Sequence, residues 1–258
     1  MILCLDVGNT QIHGGVFRDD KLLMQFRKTS GAKSSSDEYG LFLRSVLREN
    51  DVDPTDIHHI AICTVVPDVL HSIRSACRKY FENTPFVLQA GVKTGLKIRY
   101  RNPLEVGADR IANSLACTHI FPGQNMIIAD FGTATTICVV NKDKEYLGGC
   151  ILPGIRMSMQ ALEAQTAKLP SVEIKKPKSI VGQSTVESIQ SGLYYGQLKM
   201  VEGVAKEIVT QEKWDDEVKP LIIATGGFSS MFESTQVFDH TIPDLALKGL
   251  YLALKMNT

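Results

Sequence analysis

The sequence has few of the features that mark specialised classes of protein. Only one tryptophan occurs in 258 residues, aromatic residues make up 7%, and no apolar run approaches the ~20 residues that span a bilayer. Neither sign of charge dominates, because 28 Lys and Arg balance 28 Asp and Glu. A neutral chain has no global field that collects nucleic acid or an anionic membrane. We therefore expect no nucleic-acid or membrane partner, and any anionic ligand must be held by local groups.

The six cysteines also lack the spacing of a metal site, since no CxxC pair and no Cys/His ligand pattern occurs. They lie mostly within apolar stretches, which is typical of reduced core residues in a reducing compartment. At the N-terminus no basic region precedes the apolar stretch, and Asp6 interrupts that stretch almost at once, so no secretory leader is expected. These features together predict a cytoplasmic protein.

Strand and helix signals alternate along the chain, which predicts an α/β fold. An opening meander of three strands precedes a helix whose capping box runs from Ser35 to Glu38. A second helix is predicted to begin at Pro67, and a third near Leu104 or Glu105. Later helices are predicted at 155–168, at 185–211 and from about Asp244 to Met256.

The second half of the sequence begins with the same pattern of residues as the first half. Asp6-Val7-Gly8-Asn9-Thr10 aligns with Asp130-Phe131-Gly132-Thr133-Ala134 at a separation of 130 − 6 = 124 residues. Each copy follows an apolar strand and precedes a second strand. A period of this length indicates a duplicated domain rather than a solenoid repeat. We predict an N-terminal lobe of residues 1–118 and a C-terminal lobe of residues 119–258.

The repeated DxG motif suits a phosphate and its cation. An acidic residue at a hairpin tip places a carboxylate there, and the glycine lets the backbone approach a ligand closely. A single copy is better explained by an ordinary hairpin whose polar residues satisfy the turn backbone. Two copies at equivalent places favour hairpins that bind a triphosphate from both sides, with Asp6 and Asp130 directed toward its metal ions.

A glycine pair, Gly226-Gly227, follows a later apolar strand and is either a ligand-binding turn or a helix cap. The order of two DxG hairpins and then this pair resembles the phosphate-1, phosphate-2 and adenosine motifs of the superfamily that contains actin, sugar kinases and heat-shock-type chaperones. That resemblance implies an α/β fold of the duplicated ribonuclease-H-like, two-domain actin/sugar-kinase ATPase type, with a central cleft.

Further motifs of the sequence point to one family within this superfamily. The chain is similar to type III pantothenate kinases almost from end to end. The segments that carry the similarity are DVGNT at 6–10, YRNPLEVGADRIAN at 100–113, DFGTATT at 130–136, GGCILPGIRMS at 148–158, STVESIQSGLYYG at 184–196 and ATGG at 224–227.

The resemblance implies ATP-dependent phosphorylation of pantothenate to 4′-phosphopantothenate, with Asp109 as the general base that accepts the hydroxyl proton. It implies activation by potassium or ammonium at Asp130, magnesium held with ATP near Asp6, and a homodimer. The implied ATP-binding residues are Asp6, Val7, Gly8, Asn9, Thr10, Gln11, Ile12, His13, Gly132, Thr133, Gly226 and Gly227. The implied pantothenate-binding residues are Tyr100, Gly107, Ala108, Asp109, Arg110 and Thr185.

Several of these residues also have a purely structural explanation. Asp109 and Arg110 are also explained as independent surface charges, Tyr100 as a core aromatic residue, and Thr185 as the N-cap of the following helix. The stretch at 188–209 suits a dimer-interface helix or a core helix equally well. The competing functions are a kinase for another small polyol and a nucleotide-binding regulatory protein of the same fold without kinase activity.

Overall fold

Two β-sheets, one of five strands and one of six, organise the chain. The computed structural model describes residues 1–30, 34–166, 168–214 and 219–258. These divide into two units, each with its own internal contacts. The first unit comprises Met1–Leu96, Arg101–Ile120 and Leu245–Thr258, and the second unit comprises Lys97–Tyr100 and Phe121–Asp244.

After an opening run of three strands, helices and strands are interspersed along the chain. The strands are β1 (Ile2–Val7), β2 (Gln11–Arg18), β3 (Lys21–Thr29), β4 (His59–Thr64), β5 (Phe86–Val87), β6 (Lys97–Ile98), β7 (Met126–Phe131), β8 (Ala134–Val140), β9 (Glu145–Pro153), β10 (Leu221–Thr225) and β11 (His240–Thr241). The helices are α1 (Ser36–Arg48), α2 (Pro67–Phe81), α3 (Ala108–Ile120), α4 (Ile155–Gln165), α5 (Thr185–Gln211) and α6 (Leu245–Lys255).

The two sheets repeat one topology. The first has the order β3-β2-β1-β4-β5, and the second contains the corresponding order β9-β8-β7-β10-β11 with β6 added beside β9. In each, the first strand pairs antiparallel with the second and parallel with the fourth. Asp6 and Asp130 each occupy the last position but one of the first strand. The predicted duplication of an α/β unit is therefore confirmed.

The alternation of side chains along β1 decides which helices cover each face of the first sheet. Leu3 and Leu5 pack in a core cluster with residues of α1 and α2, whereas Cys4 packs in a separate cluster with residues of α3 and α6. Asp6 lies two positions beyond Cys4 and therefore shares its face. The sequence thus directs the Asp6 carboxylate to the side of the sheet that carries α3.

Several helix starts agree with the local signals. The Ser35 hydroxyl accepts a hydrogen bond from the Glu38 amide at 3.2 Å, and the Glu38 carboxylate accepts from the Ser35 amide at 2.6 Å, so the predicted capping box is present. Pro67 is the first residue of α2. The prediction that α3 begins near Leu104 or Glu105 is wrong, because Pro103–Glu105 forms a separate 3₁₀ turn and α3 begins at Ala108.

The end of the chain differs from the predicted lobes. The sequence placed residues 119–258 in one lobe, whereas Leu245–Thr258 is grouped with the first unit. The physical reason is a close helix crossing: a Cβ on Gly249 of α6 would lie 1.8 Å from the Ala112 carbonyl oxygen of α3. Only a residue without a side chain allows this approach.

Helix α5 matches the predicted range of 185–211. Its apolar residues Leu193, Tyr194, Leu198 and Val201 are all buried within the second unit's own core. The core-helix reading therefore holds for these four side chains, which are not the apolar surface that a partner would meet. The predicted helix at 155–168 ends earlier, at Gln165, and Ala167 lies outside the described residues.

No helix in the described part of the chain combines the length and the apolar character that a bilayer crossing requires.

Candidate active site

In the first unit, the centre of the candidate site is a row of paired residues across three strands. Asp6 of β1 pairs with His13 of β2 on one side and with Cys63 of β4 on the other. Residues paired across strands project from the same face of a sheet. The row therefore gathers a carboxylate, an imidazole and a thiol on the face covered by α3.

The surroundings of Asp6 oppose its ionisation. Burial first, and the negative charge of Asp109 second, raise the pKa of Asp6 from 3.8 to about 6. Two smaller effects act in the opposite direction: the Cys63 thiol donates a hydrogen bond to Asp6 Oδ1 at 3.2 Å, and Arg27 supplies positive charge. A buried carboxylate whose ionisation is opposed by a second carboxylate, beside an exposed turn, forms a site suited to positively charged or proton-donating ligands.

The turn after Asp6 presents both backbone and polar side chains. The Gly8 amide donates to the Gln11 carbonyl oxygen at 3.0 Å, which closes the hairpin and leaves Asn9, Thr10 and Gln11 exposed. An exposed turn with polar side chains suits a phosphate. The structure separates these three side chains from the other members of the predicted ATP-binding run.

Two members of that run have side chains that face the core, so only their backbone is open to a ligand. The Val7 and Ile12 side chains are buried in the core cluster of α1 and α2, on the face opposite Asp6. His13 belongs to the same run. Its side chain is buried, and its Nε2 lies 2.9 Å from the Gln25 side-chain oxygen. The Gln25 contact fixes the orientation of the imidazole in the row beside Asp6.

The first turn of α3 holds the predicted substrate-binding segment. The Arg110 amide donates to Asp109 Oδ1 at 2.8 Å, and the Arg110 guanidinium donates to the Glu105 carbonyl oxygen at 3.2 Å. Both side chains are partly buried, so they are not the independent solvated charges of the purely structural explanation. A Cβ on Gly107 would lie 2.5 Å from Asp109 Oδ1. Gly107 therefore leaves space into which the Asp109 carboxylate folds back.

Gly107→Ala is expected to lower kcat about 10- to 100-fold for a reaction that uses the Asp109 carboxylate, because the new methyl group must displace that carboxylate. The displaced atom is the end of a movable side chain, so we expect the free energy of unfolding to change by less than about 1 kcal/mol. Steady-state kinetics and urea unfolding measure the two effects separately.

The matched control for Gly107→Ala is Gly203→Ala in α5, where a Cβ meets open space. Full activity and a gain in stability of up to about 1 kcal/mol are expected there, because alanine favours helix. Unchanged kcat in Gly107→Ala would contradict the argument that the position of the Asp109 carboxylate matters.

In the second unit, Asp130 occupies the position equivalent to Asp6. It pairs with Thr225 of β10 and Thr136 of β8, so hydroxyl groups flank the carboxylate where the first unit has a thiol and an imidazole. Gly226 has φ +89°, and a Cβ there would lie 2.3 Å from Asp130 Oδ1. Gly226 therefore forms part of the Asp130 surroundings, and the alternative of a simple helix cap does not account for this contact.

The turn at Gly132 and Thr133 is held by the start of α4. A Cβ on Gly154, the residue before that helix, would lie 2.1 Å from the Thr133 carbonyl oxygen. Below the turn, the buried Gln197 side chain accepts from the Thr135 hydroxyl at 2.9 Å and donates to the Pro153 carbonyl oxygen at 2.8 Å. These contacts place the exposed Thr133 at a defined position beside the first turn of α4.

Two predicted substrate residues also lie in the second unit. Tyr100 is partly buried, with its ring centroid 6.3 Å from that of Tyr146 and its ring edge 3.6 Å from the position of a Cβ on Gly148. Thr185 is exposed and lines a cavity of about 1280 Å³ between α4 and α5. The alternative that Thr185 is the N-cap is wrong, since Ser184 caps α5 by accepting from the Glu187 amide.

Three contributors were not identified from the sequence. Cys63 was interpreted only as a core cysteine, although its thiol contacts Asp6. Arg27 was not considered, although its charge acts on Asp6, and the close packing of Gly154 was not expected. The strand pairing of Cys63 with Asp6 is the signal that connects residues so far apart in sequence, and one sequence alone does not reveal it.

The described residues hold no group of three or more His, Cys, Asp or Glu side chains arranged to bind a metal ion. Single carboxylates such as Asp6 and Asp130 fit cations that take most of their ligands from water and phosphate, as magnesium does in phosphoryl transfer. Asp6 and Asp130 therefore fit a cation that binds together with a phosphorylated ligand.

Solved structures share the fold at low sequence identity. A protein from Sinorhizobium meliloti, provisionally named a 2-dehydro-3-deoxygalactonokinase, aligns with a TM-score of 0.61 at 12% identity, covering 99% of this chain and 98% of that chain. A protein from Campylobacter jejuni, provisionally named a Baf family transcriptional activator, aligns with a TM-score of 0.59 at 19% identity and the same coverage. The chain shares the fold of these two proteins over nearly its whole length, which agrees with the predicted α/β fold of the sugar-kinase type.

Sequence comparison is more specific than the comparison of folds. The family model for type III pantothenate kinase matches residues 2–207. A type III pantothenate kinase from Legionella pneumophila strain Corby is 59% identical over 261 residues, with 100% of both chains covered. The chain belongs to the type III pantothenate kinase family, and the resemblance identified from its motifs is confirmed.

Proposed function

We propose that this protein phosphorylates the primary hydroxyl of pantothenate with ATP, giving 4′-phosphopantothenate in the first step of coenzyme A biosynthesis. Family membership supports the substrate and the reaction. The structural observation that carries the proposal is that Asp109, at the start of α3, lies close enough for its charge to raise the pKa of Asp6, so that a strand-end carboxylate and a helix-start carboxylate lie on one face of the first unit. Phosphoryl transfer to an alcohol needs both a cation-associated carboxylate and a proton acceptor.

In the proposed mechanism, Asp109 accepts the proton of the attacking hydroxyl. The pantothenate oxygen forms a bond to the γ-phosphorus, the bond to the bridging oxygen breaks, and ADP leaves with that electron pair. General-base assistance of this kind contributes about 10²–10⁴-fold to the rate. The contact between Gly107 and Asp109 supports the role, because the chain leaves space for one particular carboxylate position.

The substrate-binding roles rest on chemical fit and on the family motif. The Arg110 guanidinium, anchored by the Glu105 carbonyl oxygen, presents a fork of donors suited to the pantothenate carboxylate or to the transferring phosphate. Gly107 and Ala108 admit substrate close to the backbone at the start of α3. Tyr100 and Thr185 complete the proposed pantothenate contacts with an aromatic face and an exposed hydroxyl.

The proposed ATP contacts come from three turns. The hairpin after Asp6 supplies amides and the exposed side chains of Asn9, Thr10 and Gln11, while Val7 and Ile12 supply backbone only. Gly132 and Thr133 supply the second hairpin, and Gly226 and Gly227 supply the turn after β10. His13 supports the first hairpin from the row beside Asp6.

Cation binding is proposed at the two equivalent carboxylates. Asp6 would hold magnesium together with ATP, and Asp130, flanked by the hydroxyl-bearing Thr136 and Thr225, would hold potassium or ammonium. Bound cations supply positive charge that screens the triphosphate. The protein's own part is to keep each carboxylate at a strand end beside a glycine turn.

We also propose a homodimer and a cytoplasmic location. Exposed apolar side chains are concentrated near α4 and the start of α5, where Met157, Ile180, Val181 and Val186 each expose 43% or more. Clusters of this kind favour an association surface. The full-length relatives favour the kinase over a regulatory protein without activity and over a kinase for another polyol.

The direct test is phosphorylation of pantothenate by the purified protein, with potassium, ammonium or sodium as the monovalent cation. Turnover with pantothenate that increases in potassium and ammonium is expected, together with little turnover of glycerol or simple sugars. Binding of ATP without turnover of pantothenate would reject the proposed function. Equal turnover in sodium would reject the cation assignment at Asp130 while leaving the kinase assignment intact.

A further inference from the structure

Arg156 is an exposed cation in the first turn of α4 that none of the predicted roles includes. Its guanidinium carbon lies 5.8 Å from the centre of the Phe228 ring. Within the described parts of the chain, no carboxylate forms an ion pair with it. The guanidinium thus lies within cation–π distance of an aromatic ring, while its N–H groups remain available to an anion.

Two of the proposed ATP-binding segments converge on this side chain. Gly154, two residues before Arg156, packs against the carbonyl oxygens of Gly132 and Thr133. Phe228 directly follows the glycine pair, and its amide donates to the Phe131 carbonyl oxygen at 3.2 Å. The start of α4 therefore lies beside the second DxG hairpin, and the guanidinium lies beside the residue that follows the glycine pair.

We propose that Arg156 binds the phosphate chain of ATP, with Phe228 as the platform that holds the guanidinium plane in place. The proposal rests on the proposed function and adds a specific residue to it. A guanidinium fork matches the oxygens of a phosphate in two parallel hydrogen bonds, and stacking on a ring restricts its rotation before the ligand arrives. The neutral chain makes such a local cation necessary, since no global field attracts the triphosphate.

The phosphate chain, rather than the adenine base, is the occupant that the chemistry favours. On the face of Phe228 that Arg156 approaches, an adenine ring would compete with the guanidinium. The N–H edge of that guanidinium instead requires an acceptor with negative charge. Thr133, on the neighbouring turn, is exposed and able to contact the same phosphate oxygens.

The experiment compares nucleotide binding by the full chain and by Arg156→Ala and Arg156→Lys, using calorimetry with ATP, ADP and adenosine. In Arg156→Ala the Kd for ATP and ADP is expected to rise about 10- to 100-fold, as for the loss of a charged hydrogen-bond pair, and adenosine binding is expected to stay the same. Arg156→Lys should recover part of the loss, since it keeps the charge but not the fork. Equal losses for adenosine and ATP, or no loss for either, would overturn the proposal.

Two further variants complete the test. Phe228→Leu keeps an apolar side chain without a ring face, and a rise in the Kd for ATP smaller than that of Arg156→Ala is expected. Lys206→Ala removes an exposed positive charge from α5, and unchanged ATP binding there would show that the effect belongs to Arg156 and not to net charge. Nucleotide binding does not depend on pantothenate turnover, so failure of the kinase assignment and failure of the Arg156 assignment give different results.

Discussion

Asp109→Asn is expected to lower kcat for pantothenate by about 10²–10⁴-fold, the range that general-base catalysis contributes. Asparagine keeps the size of the side chain, and its carbonyl oxygen can still accept from the Arg110 amide, so the start of α3 should remain intact. An amide cannot accept the proton of an alcohol at neutral pH. The measurement is initial-rate formation of phosphopantothenate at saturating ATP and pantothenate.

The KM values of Asp109→Asn separate catalysis from binding. An interaction made only in the transition state lowers kcat and kcat/KM together, so both KM values should change little. The control is Glu105→Gln, which removes a neighbouring exposed carboxylate charge while keeping the backbone carbonyl oxygen that accepts from Arg110. Retention of more than a tenth of wild-type kcat by Asp109→Asn would reject Asp109 as the base.

Local patterns were enough to predict much of the fold. Strand β1 ends in an acidic residue and a glycine turn, and β7 repeats that order, so the duplication was visible before any strand pairing was known. The capping box at Ser35 and the proline at position 67 mark helix starts because they satisfy or remove backbone N–H groups that have no partner inside the helix. These signals act within a few residues, and one sequence contains them completely.

Contacts between distant segments were not predictable in the same way. The wrong start of α3 arose because the apolar pattern continues through Pro103–Glu105, while the chain breaks at Val106 and Gly107 before the helix begins. The grouping of α6 with the first unit depends on the close crossing of Gly249 over Ala112. An apolar helix that can pack against any sheet carries no local signal for its partner.

The residues of the candidate site also divide into those that the sequence predicts and those that only the fold reveals. Asp6, Asp109 and Asp130 were found from motif order and from the family resemblance, and the electrostatic influence of Asp109 on Asp6 then emerged from the structure. The Cys63 thiol reaches Asp6 only because β4 pairs with β1 in one particular register, across 57 residues of sequence. Partners selected by strand register require the fold itself.

Asp6→Asn is expected to stabilise the unliganded protein while abolishing most of its activity. The folded protein raises the pKa of Asp6 from 3.8 to about 6, so ionised Asp6 opposes folding. A shift of about two pKa units corresponds to about 3 kcal/mol, and the partial exposure of Asp6 reduces the expected gain to about 1–3 kcal/mol at pH 7.5. Loss of the carboxylate that is proposed to bind the cation should lower kcat/KM for ATP by about 10²–10³-fold.

The pH dependence of this gain has a definite sign. The folded state binds the Asp6 proton more tightly than the unfolded state does, so wild-type stability falls as the pH rises from about 4 to about 6. Asparagine does not titrate, so the stability difference between Asp6→Asn and wild type should be small at pH 4 and fully developed above pH 7. Urea unfolding followed by far-ultraviolet circular dichroism at a series of pH values measures it.

Asp20→Asn is the matched control with the opposite sign. Hydrogen bonds from Tyr251 and Lys255 lower the pKa of Asp20, so its charge favours folding at neutral pH and that contribution is lost on acidification. Asp20→Asn should therefore reduce stability at pH 7.5 where Asp6→Asn increases it. A loss of stability in Asp6→Asn at pH 7.5 would mean that Asp6 is held as a paired ion in the unliganded protein. The expected gain means instead that the site keeps an unfavourable charge, which its ligands then neutralise.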